Sequence, residues 1–314
     1  MATVREEIDG SFTYCLAGIK RDIRLEDMIN YVTPGYTTSV FVAAQGVQRI
    51  RTTAESHQRI AIVEVMGRQS GYIALGTAYG QPDLILVPEY PLNRERLLDR
   101  VREIYDIQKD VVIVVSEGIV GGNGKVLGDI SQTKDPSGNT IYSGAAEAIK
   151  QILVNELGDR YFTEKHRHDS ANTEIFTRKI GHTQRGGRPI MFDRLHASHL
   201  GGKAIDMLHE GWQNGISILQ RVEDESFYLD SIDANLLRDQ WGEIHPRYMH
   251  ISLYDPERFQ PSEKGVDYLK PIFTNAIGAD DVEWIRAQLF DPHHLSQPYH
   301  SVNFDMQKRI LYLG

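Results

Sequence analysis

Apolar residues along the chain fall into short continuous runs and into longer stretches with helical spacing. Short apolar runs rich in β-branched residues are typical of buried strands. They predict strands over residues 12–16, 60–65, 84–87, 111–115 and 174–180. Helical spacing predicts helices over residues 38–50, 71–79, 93–108, 145–157, 189–208 and 280–289. Strands that alternate with helices and are apolar on both faces indicate a parallel α/β sheet.

Caps and loops add detail to this pattern. Asn93 is a good N-cap for the helix that follows it, and Thr37 or Thr38 is available to cap the first helix. Residues 121–144 are rich in Gly, Asp, Lys and Asn and predict a long loop. The pattern weakens after Arg221, and residues 240–300 are rich in Pro, His, Tyr and Asp.

Composition narrows the function classes. The 314 residues carry a net charge of −9, so no global positive field exists to hold nucleic acid. The single cysteine, Cys15, rules out an internal disulfide and fits a reducing compartment. The longest apolar runs are too short to span a bilayer, and the first ten residues lack the apolar core of a signal peptide. We therefore expect a cytoplasmic enzyme.

Two segments carry candidate chemistry. Residues 179–194 place basic side chains around the pair Gly186-Gly187, which lets the backbone approach a ligand closely. The basic residues suit a phosphate, and they are His182, Arg185, Arg188 and Arg194. The second segment is the strand over residues 60–65, which ends in Met66, Gly67 and Arg68, where open α/β sheets bind ligands.

A carboxylate also follows the strand over residues 111–115. A buried carboxylate without a partner is costly, so we expect Glu117 to face a cleft.

Three motifs in order, SHQR (56–59), VEVMGR (63–68) and HTQRGG (182–187), resemble the phosphofructokinase family from about residue 34 to 220. The resemblance implies an α/β parallel-sheet sandwich and a kinase of glycolytic carbohydrate metabolism. Such a transferase moves a phosphoryl group from ATP or pyrophosphate, with Mg²⁺, to the 1-hydroxyl of fructose 6-phosphate. It also implies a homo-oligomer. The choice between ATP and pyrophosphate stays open.

The resemblance also implies roles for single residues. His182 and Arg185 would bind the sugar phosphate within the subunit, and Arg59 would reach the sugar in a neighbouring subunit. Arg178 would be a second such arginine. It stands two residues closer to the histidine than the family pattern does, so Lys179 is its alternative.

The remaining roles concern the sugar and the transferred group. Met66 and Gly67 would lie along the sugar with Arg68, which would also stabilise the transferring phosphoryl group. Glu117 would accept hydrogen bonds from sugar hydroxyls. Arg188 is expected at the rim of the site, and Arg194 is expected to pair with Asp193 or a neighbouring helix.

The chain departs from the family where the catalytic base is expected. The family motif is close to PKTIDND, whereas residues 18–28 read GIKRDIRLEDM. Asp22, Glu26 and Asp27 are candidates for the base, with Asp22 preferred, although an ungapped count places Arg24 there. A solvent-exposed charge run is an equal alternative.

The family also has about one hundred residues before this motif, which bind the donor and Mg²⁺. We therefore expect the N-terminal part of the donor domain to be missing. The predicted units are a remnant of the donor domain (1–30), a fructose 6-phosphate domain (31–181), the QRGG segment with its helix (182–225) and an extension (226–314). The rival functions are a non-catalytic sugar-phosphate-binding or regulatory subunit, and a truncated product without a stable function.

Overall fold

The computed structural model describes residues 4–6, 12–16, 19–22, 30–134, 140–165, 167, 169–221, 227–237 and 248–290. The strands are β1 (Val4–Glu6), β2 (Phe12–Leu16), β3 (Ile19–Asp22), β4 (Ile60–Val65), β5 (Leu84–Leu86), β6 (Val111–Ser116), β7 (Asp129–Lys134), β8 (Thr140–Ser143), β9 (Ile175–Lys179), β10 (Gly215–Arg221), β11 (Phe227–Asp233), β12 (Tyr254–Asp255) and β13 (Gln260–Pro261). The helices are α1 (Tyr36–His57), α2 (Tyr72–Gly76), α3 (Arg94–Gln108), α4 (Ala145–Glu164), α5 (Ala171–Glu174), α6 (Met191–His209), α7 (Glu263–Ile277) and α8 (Ala279–Phe290).

A four-stranded parallel sheet in the order β5-β6-β4-β9 forms the centre of the fold. The side chains of β4 alternate between two cores. Ala61 and Val63 pack with α1, α2 and α7, whereas Ile60 and Ile62 pack with α3 and α4. Because both faces are covered, nearly all residues of β4, β5 and β6 are apolar, as parallel sheets require, whereas the edge strand β9 ends in exposed basic residues. The predicted α/β parallel sheet is confirmed.

The N-terminus of α1 is capped by tertiary structure rather than by its own sequence. The helix begins after Gly35, and Thr38 lies inside its first turn, so the predicted threonine cap is wrong. The carboxylate of Asp193 in α6 instead accepts hydrogen bonds from the backbone amides of Gly35 (3.0 Å) and Thr38 (2.8 Å). Asp193 thus serves the first turn of α1, and its pairing with Arg194 remains a prediction.

Two regions contain more regular structure than the pattern predicted. The expected loop over residues 121–144 includes the antiparallel hairpin β7-β8. Its polar strands offer no apolar alternation, so only backbone pairing reveals them. Beyond residue 210, the hairpin β10-β11 and the helix α7 were both missed. Pro271 lies inside α7, where proline removes a backbone donor and usually ends a helix.

The C-terminal segment packs into the same core as the sheet. Val266, Leu269 and Ile272 of α7 are fully buried against α1 and α2. The hydroxyl of Tyr268 donates to the carbonyl of Tyr31 at 3.0 Å, which joins α7 to the segment before α1. The boundaries between the four predicted units remain predictions. No helix in the described part of the chain is long and apolar enough to cross a membrane.

Candidate active site at the carboxyl edge of the sheet

The carboxyl ends of three neighbouring strands bring the predicted site residues to one edge. Val65 pairs with Ser116 at the ends of β4 and β6, and Glu64 pairs with Lys179 at the end of β9. Because the strands are parallel, the segments that follow them emerge side by side. Met66–Arg68, Glu117 and the 3₁₀ turn over Gly181–Arg185 therefore share this edge.

Glu117 is buried and holds the loop after β4. Its Oε1 accepts hydrogen bonds from the backbone amides of Gly67 (3.2 Å) and Arg68 (3.1 Å). Its own amide donates to the carbonyl of Val65 at 3.0 Å. Only 5% of the residue is exposed. We expected this carboxylate to face a cleft, but at least one of its oxygens is instead hydrogen-bonded to the backbone of the loop after β4.

The loop is tight and partly strained. A Cβ on Gly67 would lie 2.6 Å from the carbonyl oxygen of Ser70, and a Cβ on Gly118 would lie 1.9 Å from that of Arg68. Both positions therefore require glycine. Arg68 itself has a φ of 52°, a left-handed conformation that costs a non-glycine residue about 1–2 kcal/mol. Such backbone strain concentrates at functional sites.

Gln184 joins the two motifs, and sequence reasoning missed it. It is fully buried, and its Oε1 accepts a hydrogen bond from the amide of Met66 at 3.1 Å. Its Nε2 donates to the hydroxyl of Ser39 in α1 at 3.3 Å. Nothing in the sequence indicates that a polar side chain between His182 and Arg185 is buried. Its place inside the HTQRGG motif was the one sequence feature that could have pointed to a role for Gln184.

The basic residues of the HTQRGG motif are exposed. His182 and Arg185 lie on the 3₁₀ turn, on either side of the buried Gln184. Both are open to a ligand at the carboxyl edge. Arg188 and Arg194 are also exposed, in the loop before α6 and in its first turn.

Arg178 and Lys179 lie on β9, just before this turn. The guanidinium of Arg178 lies 5.2 Å from the ring of Phe176 and donates to the carbonyl of Thr177 at 2.9 Å. Lys179 pairs instead with the buried carboxylate of Glu64 at 2.7 Å. The other oxygen of Glu64 accepts a hydrogen bond from the amide of Ala146, in the first turn of α4, at 3.0 Å. Lys179 therefore has a structural partner, which weakens it as the alternative to Arg178.

Arg59 lies at the opposite edge. It precedes β4, whose six residues span about 20 Å, while Met66 follows that strand. The nearest acid is Asp169, with Nη2 and Oδ2 3.7 Å apart. The structure therefore does not bring Arg59 to the carboxyl edge of its own chain.

The candidates for the catalytic base are the least defined. Asp22 is the last residue of β3, in a separate antiparallel sheet β1-β2-β3, with its backbone opposite Thr13. Arg24, Glu26 and Asp27 lie outside the described residues. Asp22 as the base remains a prediction.

A further carboxylate lies at the same edge, after β5. The Oε1 of Glu89 accepts hydrogen bonds from the amides of Gly71 (2.8 Å) and Met249 (2.7 Å). Burial raises the pKa of Glu89 to about 7, although these amide bonds act in the opposite direction. Glu89 thus ties the end of the Arg68 loop to the C-terminal segment, and sequence reasoning did not identify it.

Comparison with known proteins decides the family. The family model described as Phosphofructokinase matches residues 5–208, about two thirds of the chain. The chain belongs to the phosphofructokinase family. Both the carboxyl-edge loops and α6 lie inside the matched region.

Two curated relatives illustrate the range of this family. The chain is 34% identical over 223 residues to ATP-dependent 6-phosphofructokinase 3 of Streptomyces coelicolor, covering 70% of this chain and 61% of the relative. It is also 34% identical over 198 residues to a pyrophosphate–fructose 6-phosphate 1-phosphotransferase of Amycolatopsis methanolica, covering 62% and 53%. The chain therefore spans between half and two thirds of the length of these relatives.

A solved structure supports the fold. The pyrophosphate-dependent phosphofructokinase of Marinobacter aquaeolei aligns with a TM-score of 0.60 and 22% identity. The alignment covers 78% of this chain and 56% of that chain. The fold of this phosphofructokinase-family chain is thus that of the solved family members, over the part they share.

Proposed function

We propose that the carboxyl edge binds fructose 6-phosphate and presents its 1-hydroxyl for phosphoryl transfer from ATP or pyrophosphate. His182 and Arg185 bind the 6-phosphate, since both are exposed on one short turn beside the loop after β4. Relatives named for each of the two donors support the reaction class and leave the donor open.

The observation that carries this proposal is the hydrogen bond from Met66 to Gln184. It fixes the loop that would lie along the sugar against the turn that would bind the phosphate. Because Gln184 is buried, this link leaves the side chains of His182 and Arg185 available to a ligand. An enzyme orients a substrate by holding its contact groups at a fixed distance, here the loop after β4 and the 3₁₀ turn.

Glu117 and Arg68 complete the acceptor side. The carboxylate of Glu117 orients the amides of Gly67 and Arg68, and any contact with a sugar hydroxyl falls to its Oε2. Arg68 stabilises charge on the transferring phosphoryl group, because catalysis of phosphoryl transfer is mainly positioning and electrostatics. Removing Glu117 should therefore disturb the loop and the sugar contact together.

The donor side rests on resemblance. Mg²⁺ would accompany the phosphates of ATP or pyrophosphate and neutralise part of their charge. Within the described ranges, no group of three or more His, Cys, Asp or Glu side chains could hold a metal ion. Asp22 would accept the proton of the 1-hydroxyl.

Arg59 and Arg178 are proposed to complete the site of a neighbouring subunit in a homo-oligomer. The position of Arg59, a strand length away from Met66, supports a role in another subunit rather than in its own. A two-fold interface would make this exchange reciprocal. A monomer that binds the sugar phosphate with an affinity that depends on Arg59 would contradict it.

Calorimetry with fructose 6-phosphate tests the binding site. A charge-assisted hydrogen bond contributes about 1.5–3 kcal/mol, so Arg185→Ala should weaken binding roughly tenfold or more. Arg160→Ala is the control, because Arg160 is exposed near the end of α4 and pairs only with Glu164 among the described side chains. Equal affinity of the wild type and Arg185→Ala would rule out the assignment.

A non-catalytic sugar-phosphate-binding or regulatory subunit is the second candidate. The absence of an Asp-Asn-Asp sequence in residues 18–28 favours it. A coupled assay with Mg²⁺, fructose 6-phosphate and either ATP or pyrophosphate separates the two. Binding without turnover supports the second candidate, and turnover that Asp22→Asn abolishes supports the first.

A further inference from the structure

Three side chains hold the loop between β4 and α2, and each of them follows a different strand of the parallel sheet. We name residues 66–71 the Arg68 loop. Gln184 after β9 and Glu117 after β6 accept hydrogen bonds from its first three amides. Glu89 after β5 accepts a hydrogen bond from its last amide, that of Gly71, at 2.8 Å. The loop is therefore held at both ends.

The contact between Glu89 and the end of the loop is close. A Cβ on Gly71 would lie 2.5 Å from Oε2 of Glu89 and 2.8 Å from the Cβ of Val87. The φ of Gly71 is −81°, which any residue adopts, so the backbone conformation does not require glycine. The approach of Glu89 and Val87 is the physical reason for a glycine at this position.

The same oxygen of Glu89 also holds the C-terminal segment. Its Oε1 accepts a hydrogen bond from the amide of Met249 at 2.7 Å, and Met249 is fully buried in the core. Further along this segment, the carbonyl of Phe259 accepts from the amide of Ile85 in β5 at 2.7 Å. Glu89 is thus fixed between the Arg68 loop and a segment that is itself attached to the sheet.

Arg68 lies between the two held ends of its loop and has a strained backbone. Its φ of 52° is left-handed, and such a conformation persists only where the surrounding structure maintains it. The bond to Glu117 fixes the amide of Arg68, and the bond to Glu89 fixes the chain three residues later. The conformation of Arg68 therefore depends on both ends of the loop.

We propose that Glu89 is a positioning residue for phosphoryl transfer, which holds the Arg68 loop so that Arg68 meets the transferred phosphoryl group. This inference rests on the function proposed above, which gives Arg68 that role. Glu89 acts through the backbone of the loop rather than on the substrate. Its role needs an acceptor between two amides and not a charge, so glutamine should replace it whereas alanine should not.

Calorimetry with two sugar phosphates tests the proposal. Fructose 1,6-bisphosphate carries a phosphoryl group on the 1-oxygen, so the ratio of its affinity to that of fructose 6-phosphate measures the contact with that group. Arg68→Ala and Glu89→Ala should each lower this ratio at least fivefold. The double variant should lower it no further than Arg68→Ala alone, because residues that act through one contact are not additive.

Two further variants serve as controls. Glu89→Gln should keep the wild-type ratio, since its amide oxygen can accept from both backbone amides. Asn93→Ala also removes a side-chain acceptor of a backbone amide, that of Arg96 at the start of α3, but it does not hold the Arg68 loop. It should leave the ratio unchanged.

The outcomes separate this inference from the proposed function. A wild type that binds neither sugar phosphate, or a ratio that Arg68→Ala leaves unchanged, would overturn the proposed function and this inference with it. A ratio that depends on Arg68 but not on Glu89, or losses that add in the double variant, would overturn this inference alone.

Gly71→Ala keeps the test valid if Glu89→Ala does not fold. The added Cβ would separate the loop from Glu89 without removing the carboxylate. Residues 66–71 should then exchange their amide hydrogens faster, while β6 stays protected, and the affinity ratio should fall at least fivefold. Faster exchange in the loop with an unchanged ratio would refute the positioning role.

Discussion

Replacing Glu89 with glutamine should change how the stability of the protein depends on pH. Glu89 places one carboxylate oxygen between two backbone amides, those of Gly71 and Met249. The other oxygen, Oε2, is buried and has no hydrogen-bond donor among the described residues. Burial therefore disfavours the charged form and raises the pKa to about 7 from the ordinary value of 4.5.

The sign of the effect follows from the raised pKa. Between pH 4.5 and 7 the folded protein holds a proton at Glu89 that the unfolded chain has released. The stability that this group contributes is complete below pH 4.5 and is lost as the pH rises through 7. At about 1.4 kcal/mol for each pH unit between the two pKa values, the loss is at most about 3.5 kcal/mol.

Urea unfolding from pH 5 to pH 9 measures this loss. Glutamine keeps the size of the side chain and an acceptor for both amides, but it does not ionise. The stability of Glu89→Gln relative to the wild type should therefore rise with pH by up to about 3.5 kcal/mol and level off above pH 8. Glu156→Gln, at an exposed position of α4, should show no such trend. A stability difference that is independent of pH would refute the reasoning.

Substitutions at three further positions probe other buried polar groups. Burial also raises the pKa of Asp110, to about 8, and no described donor reaches either carboxylate oxygen. Asp110→Asn should therefore remove a loss of stability that the wild type shows as the pH rises from about 4 to 8, measured by urea unfolding. Gln184→Met leaves the buried amide of Met66 without its acceptor. The loss should cost about 1–3 kcal/mol of stability and weaken the binding of fructose 6-phosphate. An unchanged affinity by calorimetry would show that Gln184 does not support the binding site. Asp193→Ala removes the acceptor for the first turn of α1 and should lower the free energy of unfolding, measured in urea, by about 2 kcal/mol, while Asp193→Asn should recover part of the loss.

The sequence alone determined the elements whose signals are local. Five of the six residues of β4 are alanine or β-branched, so its bounds were predicted without error. The cap of α3 was equally clear, since the side chain of Asn93 accepts from the amide of Arg96 at 3.1 Å as predicted. The motifs after β4 and β9 were found because short sequence patterns carry them. Their position at a common sheet edge then followed from the predicted parallel order.

Tertiary structure decided every feature that joins residues far apart in the chain. Asp193 caps α1 from a helix that begins more than 150 residues later. The loop after β4 is held by two residues that follow other strands, Glu117 after β6 and Gln184 after β9. The spacing of residues along the chain carries no information on these contacts. The partner of a buried polar residue is set by which distant segment folding brings next to it.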